Sequence, residues 1–362
     1  MCSVKKQLNK LYVLNALGNM SIAGAAWVLL LVSQGFTIVQ VGLFETVFHI
    51  TSIIAEVPSG MFADVMGRKK ALLMSNYCAI ISAVVRILFV NFGGVCISIA
   101  FSALSYNLWS GTDSALAYDS LLEAGNKDGY DGYVSKQTVI YRVFNGAATL
   151  GAGLAVMIGN TYSQLIGIVI SVIQILVVLT LTENKVITDN SGKSLPQRIS
   201  ECYSESFGFL KGNRKVAGLI FRNSMVGAVD VLLLFFLQAR LPQTGIADWT
   251  LGPLLFIMSV GGIIGAAVSV RFKAYPVKKI FVFSMTLVTL GFLCNFSDIA
   301  WIMTLGGFIA AFADDLIQIR ADVELNDMVP PAQRATLISV SSLCFSFVMI
   351  FMSPLAGVVF SL

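Results

Sequence analysis

Residues 59–73 read SGMFADVMGRKKALL, and they interrupt two apolar runs with one Asp, two glycines and three consecutive cations. Asp64, Arg68, Lys69 and Lys70 are too costly to leave in hydrocarbon, so the stretch is read as a short loop at a membrane face. Glu56-Val57-Pro58-Ser59-Gly60 leads directly into it.

The composition agrees. The 362 residues are 56% hydrophobic and 12% charged, with a mean hydropathy of +0.81. Soluble domains carry about 25% charged residues. Repeated apolar runs of about 20 residues match the length needed to span a bilayer as helix. Lipid cannot satisfy backbone N–H and C=O groups, so helices are the default, and alternating strands of a barrel are not seen. The start, MCSVKKQLNK, is too polar for a cleaved signal and leads into an uncleaved first helix. Six scattered cysteines and the single His49 give no metal-ligand spacing, and there is no phosphate-binding loop for ATP. No cofactor is expected.

Eleven spans follow, at about 11–32, 37–57, 71–90, 95–118, 138–158, 165–181, 216–237, 251–270, 280–296, 299–319 and 335–359. The longest polar break, 183–215, divides a six-span bundle (1–182) from a five-span bundle (216–362). Its stretch 195–210 suits an amphipathic surface helix. A six-plus-six arrangement implies a twelfth span beyond Leu362.

Cation placement sets the expected orientation. With the N-terminus in the cytoplasm, all but two of the 24 Lys and Arg residues fall in cytoplasmic segments or adjacent helix ends; the exceptions are Arg86 and Arg240. The expected location is the cell membrane, multi-pass, and specifically a bacterial inner membrane.

The opening stretch resembles the loop between helices 2 and 3 of the major facilitator superfamily, with Gly60, Phe62, Ala63, Asp64, Gly67, Arg68, Lys69 and Leu72 in place and Val65 where an Arg is usual. The EVPSG entry, YDSLLEAG after span 4 and Arg334-Ala335-Thr336 at the entry to span 11 are similar to a bacterial branch rich in drug exporters. Span 4 lacks that branch's Arg, 146–159 lacks its Pro, and the loop after span 8 lacks the Asp. The resemblance implies a major facilitator fold of two pseudo-symmetric bundles. It also implies gating roles for Gly60, Asp64, Gly67, Arg68 and Lys69, with Asp119 as partner of Arg68, Arg334 near Asp64, and Glu56 as a gate or cap residue.

Charges within spans are expensive and mark cavities or partners. In the implied fold, spans 1, 4, 7 and 10 line the cavity. Span 4 places Tyr106, Ser110, Asp113 and Ala117 on one helical face, flanked by Asn107 and Trp109. Span 7 offers Asn223, Gly227 and Asp230; span 10 offers Asp314 and Asp315; span 1 offers Asn15 and Asn19. Asp113 and Asp230 are the first candidates for substrate or proton binding, followed by Tyr106, Trp109, Asn107, Asp314 and Glu45. A structural ion pair with Arg142 is the alternative role for Asp113. Glu45 and His49, one turn apart, suit a proton relay or simple packing. Arg86 is expected to snorkel or pair locally.

The leading reading is a secondary transporter that exports a small amphipathic or cationic compound against protons by alternating access. Its partners are then the substrate, protons and the bilayer, without nucleic acid, and its state is a monomer. Nutrient or organic-ion uptake and a non-transporting membrane protein stay open as alternatives. An enzyme is disfavoured, because no nucleophile–base or metal constellation is present.

Overall fold

The computed structural model describes residues 2–126, 128–183, 195–329 and 334–361, and all of its regular elements are helical. Two compact units emerge: Met1–Leu30 with Ile50–Gly192, and Leu31–His49 with Lys193–Leu362. Among the described residues, nine helical stretches are long and apolar enough to cross a membrane.

The first unit opens with α1 (Cys2–Gly18), α2 (Ile22–Ala25) and the start of α3 (Trp27–Ser33). The expected first span is therefore broken at residues 19–21 and at Ala26. Ser21 caps the second piece, its Oγ accepting from Gly24 N–H at 3.0 Å. The helix α4 (Ile38–Met66) runs through Pro58 and Gly60, and α5 (Arg68–Leu88) begins two residues after it ends. The loop expected at 59–70 thus shrinks to Gly67. Its φ of 103° is a conformation that glycine adopts without the Cβ clash.

Span 4 also differs from expectation. It is split into α6 (Phe92–Trp109) and α7 (Thr112–Glu123), because Gly111 takes φ 75°. The face drawn through Tyr106, Ser110, Asp113 and Ala117 is not continuous, since Asp113 sits in the first turn of the second piece. Next come α8 (Gly129–Leu150) and α9 (Ala152–Leu179), the latter turned at Gly159 with φ 79°. Of the eleven expected spans, the broken first and the charged α8 are the two outside the nine.

In this unit α5 packs on α6 and α9, and α1 packs on α7, α8 and α9. Leu11, Leu14, Leu72, Leu116, Tyr133 and Val178 form the buried core at one end. The Tyr12 and Tyr133 rings stack there at 5.1 Å between centroids.

The second unit contains α10 (Leu195–Gly212), where a surface helix was expected, then α11 (Arg214–Arg240), α12 (Asp248–Val268), α13 (Val277–Cys294), α14 (Ala300–Met328) and α15 (Arg334–Ser361). The helix α14 is its hub, packing on α11, α12 and α13. Association in lipid relies on close van der Waals contact, which small residues permit. A Cβ on Gly261 or Gly265 would collide with the carbonyl oxygens of Phe308 or Phe312 on α14. Gly291 and Gly306 bring α13 and α14 together in the same way. The first half of α4 joins this unit through Gly42, which lies against the Ser353 carbonyl, and through Thr46 Oγ1, which donates to Ile350 O at 3.2 Å.

Gly261→Ala and Gly265→Ala are each expected to cost about 1–3 kcal/mol by overpacking. Gly218→Ala, whose Cβ would meet open space, is expected to be neutral or stabilising by up to about 1 kcal/mol. Thermal unfolding of the purified protein checks this; equal melting of all three variants would contradict the backbone contact.

Candidate functional site

Gly67 ends α4, and the first N–H groups of α5 point at the chain that leaves α9. The Glu183 carboxylate accepts from Arg68 N–H at 3.1 Å and Lys69 N–H at 2.9 Å. An anion at a helix N-terminus satisfies orphan donors and complements the helix dipole. The exchange is reciprocal. Lys69 Nζ donates to Leu179 O at 2.8 Å and to Leu181 O at 2.9 Å, which caps the carboxyl end of α9. Gln7 adds a third strand to the knot, bonding both the N–H and the C=O of Thr182.

The Arg68 side chain turns the other way. Its Nε donates to Asp119 Oδ2 at 2.9 Å on α7, while Nη2 lies 3.5 Å from Asp64 Oδ1. Asp64 is 57% exposed, so that second pair is screened and weak. Gly60 has no neighbour close enough to require a glycine, and Glu56 is half-buried within electrostatic range of the Tyr106 hydroxyl. Arg334 opens α15, and its side chain lies outside the described residues.

Asp113 is 4% exposed and enclosed by polar partners. Gln137 Nε2 on α8 donates to its carboxylate at 2.7 Å, Ser114 N–H does so at 2.7 Å, and Asn15 on α1 adds a side-chain bond. Arg142 instead lies exposed beside the Tyr141 ring. Asp113 therefore ties α1, α7 and α8 together. Asn107 is also tied down: it exchanges two hydrogen bonds with Ser52 on α4, at 3.0 and 3.1 Å.

Tyr106 and Trp109 face a cavity of about 470 Å³ inside the first unit. Its wall comes from α1, α2, α5, α6 and α9 and is rich in serine and amide side chains. The volume falls within the range of small-ligand pockets, about 300–1,000 Å³. Arg86 pairs locally. It is 8% exposed, lines this cavity, and donates Nε to Ser98 Oγ at 3.2 Å.

In the second unit, His49 Nε2 lies 3.6 Å from Glu45 Oε2, and its Nδ1 is 3.2 Å from Ser346 Oγ on α15. Phe48 and Phe345 enclose the ring. Farther along, Asp230 on α11 and the adjacent Asp314 and Asp315 on α14 are half-buried and interact electrostatically. The glycines beside them leave room for their oxygens. A Cβ on Gly227 would lie 3.5 Å from Asp314 Oδ1, and one on Gly262 would collide with Asp315 Oδ2. Asn223 Oδ1 is buried on the same helix without a hydrogen-bond partner among the described residues.

Sequence reasoning missed Glu183, Gln7, Gln137 and the serine-lined cavity. Glu183 lay in a polar linker, where a charge gives no sign of its target. The serines recur on α5 and α6 as Ser75, Ser82, Ser98, Ser102 and Ser105, a spacing that was available to read.

No family model matches the sequence. The chain is 21% identical over 333 residues to the uncharacterized MFS-type transporter YxaM of Bacillus subtilis (strain 168), covering 89% of this chain and 81% of that protein. The structure is similar to that of the nucleoside transporter NupG, with a TM-score of 0.76 at 16% identity, covering 99% of this chain and 91% of the other. It is also similar to an inward-facing bacterial homologue of the lysosomal transporter Spinster, at 0.71 and 15%, covering 98% and 81%. The D-xylose–proton symporter follows at 0.67 and 13%, covering 97% and 88%. The chain is an all-α polytopic membrane protein with the major facilitator fold.

Glu183→Ala removes two caps at once and is expected to cost about 0.5–2 kcal/mol. Gly67→Ala is expected to cost at least as much, because it combines a left-handed φ with a Cβ placed 2.7 Å from Glu183 Oε2. Melting curves in detergent measure both, and the Gly67→Ala/Glu183→Ala double variant should melt above the sum of the two losses.

Proposed function

We propose that this chain is a secondary transporter that uses alternating access and proton coupling to export a small amphipathic or cationic compound. The observation that carries the coupling is the acid cluster of Asp230, Asp314 and Asp315 on α11 and α14. Three acids grouped on two packed helices supply groups that can take up and give back a proton as their access to water changes. The same carboxylates attract a cationic substrate in one state and release it when protonated.

The neighbours support the transport class. Their names describe proteins that move small molecules, and one is a proton symporter. The Glu45–His49–Ser346 chain is a second candidate proton carrier, since it strings a carboxylate, an imidazole and a hydroxyl close together. In this reading the Gly67 knot serves as a gate. The Arg68–Asp119 bond and the Asp64 contact would stabilise one access state, with Arg334 and Glu56 as further candidate gating residues. The N-terminus is proposed to be cytoplasmic, in the inner membrane of a bacterium, with the protein a monomer.

Uptake of a polar solute is the second reading. The serine- and amide-rich cavity of the first unit favours it, because such a wall suits hydroxyl-bearing compounds more than apolar ones. The nucleoside transporter and the D-xylose–proton symporter among the neighbours point the same way.

Counterflow and gradient-driven assays in vesicles of both orientations separate these readings. Under the export reading, collapsing the proton gradient abolishes accumulation in everted vesicles. Asp230→Asn is expected to lower driven transport by about tenfold or more, equivalent to about 1.4 kcal/mol of lost coupling, and to leave substrate exchange in place. Accumulation that persists without a gradient, or full driven transport by Asp230→Asn, would refute proton coupling through the cluster.

A further inference from the structure

We propose that the cavity inside the first unit is a binding site for a small organic carboxylate, with Arg86 as its anchor. This site is separate from the acid cluster of the second unit and does not rest on the transport reading.

The argument starts from charge. Arg86 is the only ionised side chain on the cavity wall; every other lining group is a hydroxyl, an amide, an aromatic ring or an apolar side chain. Among the described residues no carboxylate lies within ion-pair distance of it. A buried cation without a counter-charge is expensive, and removing it from water costs several kcal/mol. An anion entering the cavity would offset that cost.

The geometry says what would do so. Arg86 Nε is held by Ser98 Oγ at 3.2 Å, and the Ser98 hydroxyl is itself fixed by donation to Ser82 O at 2.9 Å. The guanidinium is thereby oriented, and its two terminal nitrogens have no partner among the described residues. Those two nitrogens form the edge that meets a carboxylate in a paired, planar contact. The side chain is more than nine-tenths buried, so the contact would be shielded from competing water and salt.

The remaining wall fits the rest of such a molecule. Trp109, Tyr106 and Trp27 offer aromatic faces, and Gln174 and Asn76 offer amides. The unwound backbone at 19–21 borders the same space. Irregular backbone at membrane depth persists where it lines a polar cavity. A carboxylate bearing a compact aromatic or aliphatic body satisfies the cation, the rings and the volume together.

Benzoate and its uncharged isostere benzamide test this on the full-length protein in detergent, read by melting temperature and by intrinsic tryptophan fluorescence. Benzoate at about a hundredfold above its dissociation constant is expected to raise the melting temperature by about 2–4 °C, and benzamide is expected to have no effect. Arg86→Gln should abolish the response and Arg86→Lys should keep part of it. If Arg86→Gln does not fold, Ser102→Leu carries the test: it adds bulk to the cavity wall while leaving the guanidinium in place, and it should weaken benzoate by at least about tenfold. Asp230→Asn should respond as wild type does, so a failure of the transport reading leaves this result intact. Equal shifts with benzoate and benzamide, no shift with either, or an undiminished benzoate response in folded Arg86→Gln or Ser102→Leu would overturn the proposal.

Discussion

A helix in lipid satisfies its own backbone except at its ends, and the exchange of caps between α5 and α9 settles that problem where the two helices meet. Glu183 supplies the acceptor for the start of α5, and Lys69 supplies the donor for the end of α9. Each charge also offsets the dipole of the helix it caps. This exchange depends on the tight turn at Gly67, because any side chain there would occupy the space of the Glu183 carboxylate. It also frees the Arg68 side chain to reach α7, so one glycine fixes α4, α5, α7 and α9 at a common level. A gate built on this knot would be discrete, since a capped helix end does not deform gradually.

Much of the fold was legible, although the Glu183 and Gln7 contacts of the knot were not. Hydrocarbon excludes charge so strongly that runs of apolar residues broken by cations can be read as helices and turns. What the sequence did not reveal was where helices fail inside those runs. The first span breaks at residues 19–21 with no glycine or proline at the break, and the fourth breaks at Gly111. Glycine inside an apolar run has two physical uses that look alike. At Gly111 and Gly159 it supplies a left-handed turn, and at Gly261 and Gly265 it admits a neighbouring backbone. Only the partner helix distinguishes them.

The site residues divide in the same way. Arg68 at the start of α5 meets Asp119 on α7 at 2.9 Å, a pairing the family resemblance implied. Asp113 drew attention as a lone acid in an apolar run, and its surroundings are less exotic: Gln137, Ser114 and Asn15 satisfy it. Its partners are uncharged, and uncharged amides do not stand out in a sequence. Asp230 differs in that its nearest electrostatic neighbours are other acids. Its position next to the Asp314-Asp315 pair could not be read from residues more than eighty positions away.

These two environments place the chemistry. The Asp113 carboxylate is already engaged by donors from Gln137 and Ser114, so it suits a structural tie. Asp230, Asp314 and Asp315 instead group three acids on the packed helices α11 and α14. Arg86 presents the opposite case, a cation held by a hydroxyl and facing open polar space. The first unit breaks its helices and so gains a cavity with one positive charge; the second keeps its helices closely packed and concentrates negative charge at one level. The two units therefore offer opposite charges, one cation in the first and three grouped acids in the second.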